Sequence, residues 1–384
     1  MDVCANCFEE EDIRLWIRDH EGTRGCDFCG RRDAPTVSID ELANYMRGCL
    51  ENVWGYAIEQ LPFESREDGY QGRTWDTWDI LFDELELALP RDHKSTLAHK
   101  LCSLISQETW CEFDWLSLDE DEVLRTSWAS FCEIVKHQRR FFFGDIKQDP
   151  NDQDHFVPSK LLGRLAAMAL DFGLINQIPS NTKIYRARAA GRRPMRTPAE
   201  LGPPPLKHAL QSNRMNPPGV PMFYAAETRS VAVAEIQSPI AYVGTFVLHR
   251  DIAVLDLVNL PDIPGIFSGD ERWRRLGLQF LHDFRKDVMK PVARDERTHI
   301  DYIPTQIVTE YFRHHGAGGI QLDGVRYPST VVPGGRNLVL FATQADVESV
   351  TEPEDGFLER GLISTPKPWL KLIAMRLIKA KLWR

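Results

Sequence analysis

Apolar residues recur at helical spacing through most of the stretch 38–150. A serine and an acid three residues later, Ser38 and Glu41, have the form of a capping box at the start of a helix. Three further segments share helical periodicity: 78–89, 94–107 and 122–143. Few Gly or Pro residues interrupt them. We therefore predict that residues 38–150 form an all-α helical bundle.

A different pattern begins at Lys183, where short β-like runs alternate with loops rich in Gly and Pro. The predicted strands are 184–188, 221–225, 241–248, 253–257, 319–321, 324–327 and 337–343. The predicted helices are 228–237, 271–289 and 304–315, and Thr228 is the expected cap of the first. A linker over 145–158 and a helix over 159–172 precede this region. The mixture predicts an α+β domain with a mainly β core.

The last residues, 367–384, carry six Lys or Arg side chains and no acid. Apolar residues lie between these cations, so we predict a basic amphipathic helix. Such a helix can lie on an anionic membrane or dock on an acidic partner. We favour docking on the protein's own helical region, because acids cluster at 9–12 and 119–122.

Two CxxC pairs stand in the first forty residues, Cys4 with Cys7 and Cys26 with Cys29, and 18 residues separate the pairs. Each pair can hold one side of a tetrahedral Zn²⁺. Glycines flank the second pair, as a tight knuckle turn requires. Four thiolates close the coordination sphere, so we predict a structural zinc ribbon. A redox dithiol pair is the alternative.

Composition narrows the function classes. An apolar fraction of 43% supports globular cores, and a net charge of -10 argues against a general nucleic-acid coat. Arg24, Arg31 and Arg32 border the cysteines and could meet a nucleic-acid backbone, but a solvated rim is the preferred interpretation. The chain lacks a secretory signal and any apolar run of spanning length, so we expect a cytoplasmic, reducing location.

The candidate chemistry begins at the turn 212–219, Ser-Asn-Arg-Met-Asn-Pro-Pro-Gly. Phe223 and Tyr224 follow it, and Glu235 then stands inside an apolar run. A carboxylate there is expected to be partly buried, which is costly unless a cation or hydrogen-bond donors meet it. Arginines, an aromatic ring and one buried acid are the parts needed to hold a phosphorylated, cationic nucleotide.

These residues resemble the RES domain family, named for its Arg, Glu and Ser. The matching pieces occur in the family's order between 183 and 343. They are Tyr185-Arg186, the turn from Arg214 to Gly219, Tyr224, Glu235, Thr305-Gln306, the run from Gly324 to Ser329, and the strand from Gly335 to Phe341. The front end resembles the zinc-plus-helical modules that accompany some RES domains.

The resemblance implies an ADP-ribosyltransferase-like fold that consumes NAD⁺. Such domains act as bacterial toxins by NAD⁺ hydrolysis or phosphorolysis. The implied organisation is a zinc ribbon at 1–37, a HEPN-like bundle at 38–150, a linker and helix at 151–182, a RES domain at 183–345, and an extension with the basic helix at 346–384. Implied partners are NAD⁺, an antitoxin or regulatory protein, and a second copy through the helical module.

The NAD⁺ site implied by the resemblance comprises Arg186, Arg214, Asn216, Tyr224, Glu235, Arg326 and Ser329. Loss of nicotinamide leaves an oxocarbenium-like ribose, and Glu235 suits the stabilisation of that charge. Arg186 and Arg214 would fork onto the pyrophosphate. Tyr224 would stack on nicotinamide, Ser329 would hold ribose or phosphate, and Arg326 would assist.

Two positions depart from the family pattern. The family usually has Gly before the turn arginine and an aromatic after it, where this chain has Asn213 and Met215. We expect the turn to approach the ligand less closely and to stack less well. We also expect only one of Arg186 and Arg188 to face the site.

The leading hypothesis is therefore an NAD⁺-degrading toxin or defence effector. A mono-ADP-ribosyltransferase that modifies a macromolecule is the first alternative. A HEPN-type RNA-binding or RNase module is the second. HEPN ribonucleases carry Arg, four to six residues, then His, whereas here seven residues separate Arg91 from His99 and one separates Arg91 from His93. The ribonuclease motif is not met.

Overall fold

The computed structural model describes residues 1–384 except 21, 23–24, 66–68, 90–93, 114–117, 153, 196, 291–297, 349–366 and 380–384. Two compact units make up the chain. The first comprises Met1–Val123 and Asp262–Gln279, and the second comprises Leu124–Pro261 and Phe280–Arg384.

The first unit is built on short helices around small sheets. In chain order its elements are β1 (Asp2–Cys4), α1 (Glu11–Asp19), β2 (Thr36–Ser38), α2 (Ile39–Glu51), β3 (Trp54–Tyr56), α3 (Ala57–Gln60), β4 (Phe63–Glu64), β5 (Gly69–Tyr70), β6 (Thr74–Trp75), α4 (Lys94–Ile105) and β7 (Trp110–Glu112). Its core lies where one face of α1 and of α2 is buried, with Ile13, Ile17, Leu42 and Met46 fully enclosed.

Residues 38–150 are helical but not all-α, so that expectation was wrong. The strands β3, β7 and β6 form an antiparallel sheet, and β4 pairs with β5. The predicted helix over 78–89 is a π-helical turn, Asp79–Glu84, and α5 (Glu120–Glu133) continues as a π-helical turn at Ile134–Gln138. Ser38 precedes α2 as its cap residue, but its side chain makes no capping hydrogen bond.

The second unit is an α+β domain around a large sheet. The further elements of the chain are α6 (Pro158–Asp171), β8 (Ile175–Ile178), β9 (Lys183–Ala189), α7 (Pro198–Leu201), β10 (Phe223–Ala226), α8 (Arg229–Ile236), β11 (Ile240–Leu248), β12 (Ile252–Asp256), α9 (Arg272–Met289), α10 (Thr298–Asp301), α11 (Ile303–His315), β13 (Gly324–Pro328), β14 (Arg336–Leu340) and β15 (Leu370–Lys379). All of them lie in the second unit except the part of α9 that precedes Phe280. The eight strands are ordered β15-β11-β9-β10-β14-β13-β12-β8, and only β12 and β13 run parallel. The predicted strand at 319–321 is instead a tight turn.

The C-terminal segment is a strand and not the predicted amphipathic helix. β15 pairs antiparallel with β11 from Leu370 opposite Leu248 to Lys379 opposite Ile240. Leu370 packs into the core on one face of the sheet, and Ile378 packs on the other face. Apolar residues that point to both faces of this edge strand, with cations between them, imitate a helical stripe, which explains the error. Residues 380–384 of the predicted helix lie outside the described residues.

A split in the sheet positions the candidate site. β9 and β10 share a single register pair, Tyr185 opposite Ala226. Beyond this pair the two strands separate, while β9 stays paired with β11 and β10 stays paired with β14. The backbones that face the gap therefore line a cleft instead of completing a ladder.

Candidate active site

A cleft of about 950 Å³ opens at the split between β9 and β10. Its volume is at the upper end of the range for small-molecule sites, which suits a dinucleotide. The polar residues along its wall are Tyr185, Arg186, Arg188, His208, Gln211, Asn213, Asn216, Tyr224, Glu235, Tyr327 and Asn337.

Glu235 is held in this wall by two donors. Thr228 caps helix α8 as predicted, because its hydroxyl accepts from the Val231 N–H, and the helix carries Glu235 near its end. Glu235 Oε1 accepts from Ser329 Oγ at 2.7 Å and from Asn337 Nδ2 at 2.6 Å. Among the residues that the structure describes, Oε2 has no hydrogen-bond partner. One carboxylate oxygen is therefore fixed and the other is available to a ligand.

The two donors to Glu235 are themselves constrained. Ser329 Oγ accepts from the N–H groups of Val331 and Val332 at 3.2 and 3.0 Å, which orients its own hydrogen toward the carboxylate. Asn337 is 4% exposed on β14. Sequence reasoning missed Asn337, although a polar residue entering an apolar strand signals a buried amide that needs a partner.

Two guanidinium groups enter the cleft from β9. Arg186 Nη1 donates to the Tyr224 carbonyl at 2.9 Å, and its buried Nε has no partner among the described residues. Arg188 Nη2 donates to the Gly202 carbonyl at 3.1 Å. Burial lowers the pKa of both groups, and the Arg188 charge lowers that of Arg186 further. In the described part of the chain no carboxylate pairs with either, so an anion between them would relieve the cost of burial.

The expectation that only one of these arginines faces the site was wrong. Residues two apart on a strand lie on the same side, and both Arg186 and Arg188 line the cleft.

Tyr224 and Asn216 fix the turn against β10. The Tyr224 hydroxyl donates to Asn216 Oδ1 at 2.6 Å and accepts from the Met215 N–H at 3.3 Å. Asn216 Nδ2 donates to the Val220 carbonyl at 2.7 Å. Burial raises the pKa of Tyr224, so its hydroxyl stays protonated. Asn216 thus supports the turn through its own amide, and only the ring of Tyr224 is left to meet a ligand.

A buried glutamine on α11 braces the same turn. Gln306 Nε2 donates to Ser212 Oγ at 2.9 Å and to the carbonyls of Asn213 and Asn216 at 2.7 and 3.1 Å. Met215 is 1% exposed, and Thr309 Oγ1 lies 3.2 Å from its sulfur. The departure from the family at Met215 therefore affects packing against α11 and not the surface that a ligand would meet.

The structure does not bring Arg214 into the cleft. Its Nη1 donates to the carbonyl of Val288 and, at 3.0 Å, to that of Lys290, at the C-terminal end of α9. Its guanidinium lies 5.5 Å from the ring of Tyr302, beside a separate cavity of about 280 Å³. The cause is the unsatisfied carbonyls of a helix end, which attract a cation. In this position the Arg214 guanidinium does not line the cleft in which we expected it to bind pyrophosphate.

Arg326 also lies outside the cleft. Its Nε donates to Glu227 and its Nη1 donates to Asp256 at 2.8 Å. Asp256 is fully buried, so this pairing compensates a buried charge. The neighbouring Tyr327 lines the cleft, which places Arg326 on the opposite face of the sheet. From this position the Arg326 side chain does not reach the cleft, where we expected it to assist in binding NAD⁺.

The four N-terminal cysteines converge. The sulfur atoms of Cys4, Cys7, Cys26 and Cys29 all lie within 4.8 Å of one another. Three of the separations are 3.8, 3.4 and 3.5 Å, close to the roughly 3.8 Å edge of a tetrahedron with Zn–S bonds of about 2.3 Å. Gly25 and Gly30 flank the second pair with φ of 88° and 72°, as a knuckle turn requires. This group could hold a metal ion.

The remaining candidates are the residues considered for contact with RNA and the possibility of a membrane-spanning helix. Arg91 and His93 lie outside the described residues, and His99 is exposed with its ring 4.9 Å from that of Trp78. Arg24 is also outside the described residues. Within the described part of the chain, no helix has the length and apolar character needed to cross a membrane.

Comparison with known families explains this layout. HEPN/RES N-terminal domain 1 matches residues 19–149, and the RES domain matches residues 183–360. No curated protein and no solved structure matches the chain. The resemblance predicted from the motifs is confirmed: the chain carries an α+β RES domain with a HEPN-like helical module in front of it.

Proposed function

We propose that this protein degrades NAD⁺ by breaking the bond between nicotinamide and ribose. The observation that carries the proposal is the state of Glu235, with Oε1 held by Ser329 and Asn337 and Oε2 left for a ligand. The RES domain is the second support, since NAD⁺ is the substrate that this family implies.

Nicotinamide needs no proton in order to leave. The C1′–N bond breaks with its electron pair passing to the pyridinium nitrogen, and neutral nicotinamide departs. Positive charge develops on the ribose, and the Glu235 carboxylate stabilises it. Water or phosphate then bonds to C1′. For water, the proton lost from the attacking oxygen passes to Glu235 or to solvent.

The remaining cleft residues suit the rest of the dinucleotide. Among the described residues, Arg186 and Arg188 are two cations without carboxylate partners, so we assign the pyrophosphate to them in place of Arg214. The Tyr224 hydroxyl is committed to Asn216, which leaves its ring as the stacking surface for nicotinamide. Asn216 is assigned to the support of this tyrosine and not to a direct contact.

We also propose a structural Zn²⁺ on Cys4, Cys7, Cys26 and Cys29. Burial and the neighbouring thiols raise the pKa of Cys4 to about 11, so a closely packed set of thiolates needs a cation to form. Zn²⁺ would supply that charge and staple β1 to the second cysteine pair. With all four positions taken by protein, such a site does not act on substrate.

The proposal is tested by incubating the purified protein with NAD⁺ and measuring free nicotinamide, with and without phosphate. We expect nicotinamide release, and a loss of at least a hundredfold in Glu235→Gln. Glu310→Gln, an exposed position on α11, is the matched control and should retain activity. Absence of nicotinamide release from the wild-type protein would refute the enzyme assignment.

The products distinguish the acceptors. Free ADP-ribose indicates hydrolysis, and a phosphorylated ADP-ribose that appears only with phosphate indicates phosphorolysis. Label from adenine-labelled NAD⁺ that stays on a protein or nucleic acid would instead favour the alternative of a mono-ADP-ribosyltransferase.

A further inference from the structure

A tyrosine that the motif comparison left without a role lies beside Glu235. Tyr327 is on β13 and stands directly opposite Asn337 of β14. Residues opposite each other in adjacent strands lie on the same face. Tyr327 and Asn337 both line the cleft, and the Asn337 amide is bonded to Glu235. The Tyr327 side chain therefore lies next to, and on the same face as, the amide that is bonded to Glu235.

The Tyr327 hydroxyl is uncommitted. Among the residues that the structure describes, it has no hydrogen-bond partner, whereas the Tyr224 hydroxyl has two. Burial raises the pKa of Tyr327, and the Glu235 charge raises it further. The phenol therefore stays protonated near neutral pH and is available as a hydrogen-bond donor.

Glu235 provides a hydrogen-bond acceptor and Tyr327 provides a hydrogen-bond donor, so one substrate group could bind both. Glu235 Oε2 can only accept a hydrogen bond when the carboxylate is ionised, and the phenol of Tyr327 can donate one. A hydroxyl group satisfies both at once, because it donates to one partner and accepts from the other. NAD⁺ brings such hydroxyls on the ribose whose C1′–N bond is broken.

We propose that Tyr327 contacts substrate, donating a hydrogen bond to the nicotinamide-ribose hydroxyl that itself donates to Glu235 Oε2. This inference rests on the proposed function and adds to it a substrate contact. Two hydrogen bonds fix the orientation of that hydroxyl, and with it the ribose ring, against the carboxylate. The expected consequence is discrimination against dinucleotides that lack the hydroxyl.

The test uses Tyr327→Phe, which keeps the ring and removes the oxygen. Competitive inhibition constants are measured for NAD⁺ analogues that lack either the 2′ or the 3′ hydroxyl of the nicotinamide ribose, so turnover of the analogues is not needed. NAD⁺ itself is measured by nicotinamide release. Tyr311→Phe is the control, because the Tyr311 ring stacks on that of His315 on α11 and does not line the cleft.

We expect Tyr327→Phe to lower kcat/KM for NAD⁺ about tenfold, the value of one hydrogen bond. For one of the two deoxy analogues, the wild type and the variant should bind equally, because the contacted hydroxyl is absent. An equal loss with NAD⁺ and with both analogues, or no loss with NAD⁺, overturns the inference. If the wild type neither binds nor cleaves NAD⁺, the proposed function fails as well, so the two failures are distinguishable.

Discussion

The guanidinium of Arg186 crosses the split in the sheet and donates a hydrogen bond of 2.9 Å to the carbonyl oxygen of Tyr224. In a continuous ladder that carbonyl would accept from a backbone N–H of β9. A side chain replaces the backbone donor, which keeps the two strands connected while the cleft stays open.

This relationship predicts that Arg186 cannot be replaced by lysine. An ammonium group can make one of the contacts but cannot reach the carbonyl and present a second N–H to a phosphate in a fixed geometry. We expect Arg186→Lys and Arg188→Lys each to raise the KM for NAD⁺ about tenfold or more, measured by nicotinamide release.

Arg192→Lys is the control for both substitutions, since Arg192 is exposed and does not line the cleft. An unchanged KM in both lysine variants would contradict the assignment of the pyrophosphate to these arginines.

Arg214 should behave in the opposite way. Arg214→Met removes its bonds to the carbonyls of Val288 and Lys290, so we expect a loss of about 1–3 kcal/mol in the free energy of unfolding. Below the melting temperature, the KM for NAD⁺ should change less than threefold. Denaturant unfolding and steady-state kinetics check the two parts. A large rise in KM with unchanged stability would return Arg214 to the role of a ligand.

The order of motifs along the sequence located part of this site. Glu235 and Ser329 are far apart in the chain, yet their side chains are hydrogen-bonded, and Tyr224 lines the same cleft. All three residues belong to the family's ordered set of motifs. They meet in the fold because each lies near the end of a strand or helix that faces the split. Their proximity was predictable from the sequence, whereas only the structure shows that Glu235 Oε2 is available to a ligand.

The positions of the arginines could not be predicted in this way. Whether a guanidinium is free depends on acceptors that come from distant segments, such as the Val288 carbonyl for Arg214 and Asp256 for Arg326. Sequence reasoning did not identify Asn337 and Tyr327 as site residues, because their position also depends on a distant segment. Each stands in a run that predicts a strand, and only the pairing of β13 with β14 shows that both flank Glu235.

The cysteine cluster predicts a defined result for metal removal. Chelation would change the surroundings of the four clustered cysteines, whereas Cys102 and Cys132 lie outside the cluster and keep the raised pKa values, about 11 and about 12, that burial gives them. Reactivity with a thiol reagent should therefore rise chiefly through the four clustered cysteines. We expect one equivalent of Zn²⁺ to be released on chelation, with about four more thiols reacting and a lower melting temperature.

Cys4→Ser should abolish stoichiometric zinc, and Cys111→Ser, a buried cysteine outside the cluster, should retain it. Zinc-free protein with unchanged stability and unchanged thiol reactivity would exclude a structural metal.

Expression in a bacterial host gives a physiological prediction. If the cleft degrades NAD⁺, induction of the wild-type chain should arrest growth and lower cellular NAD⁺, because no reaction of the enzyme restores the nicotinamide bond. Glu235→Gln should be tolerated at the same protein level, as checked by immunoblotting, and Glu310→Gln should be as toxic as the wild type. Growth arrest by Glu235→Gln with NAD⁺ unchanged would assign the toxicity to another activity.

The final strand predicts a contrast between two leucines of one element. Leu370 is fully buried at the start of β15, whereas Leu377 is 57% exposed on the same strand. Leu370→Ala should lower the free energy of unfolding by about 2–5 kcal/mol, because it leaves a cavity in the sheet core. Leu377→Ala should change it by less than about 0.5 kcal/mol. Chemical denaturation of both variants makes the comparison. Equal, small effects would contradict the pairing of β15 with β11, since a solvent-exposed helix would bury neither leucine.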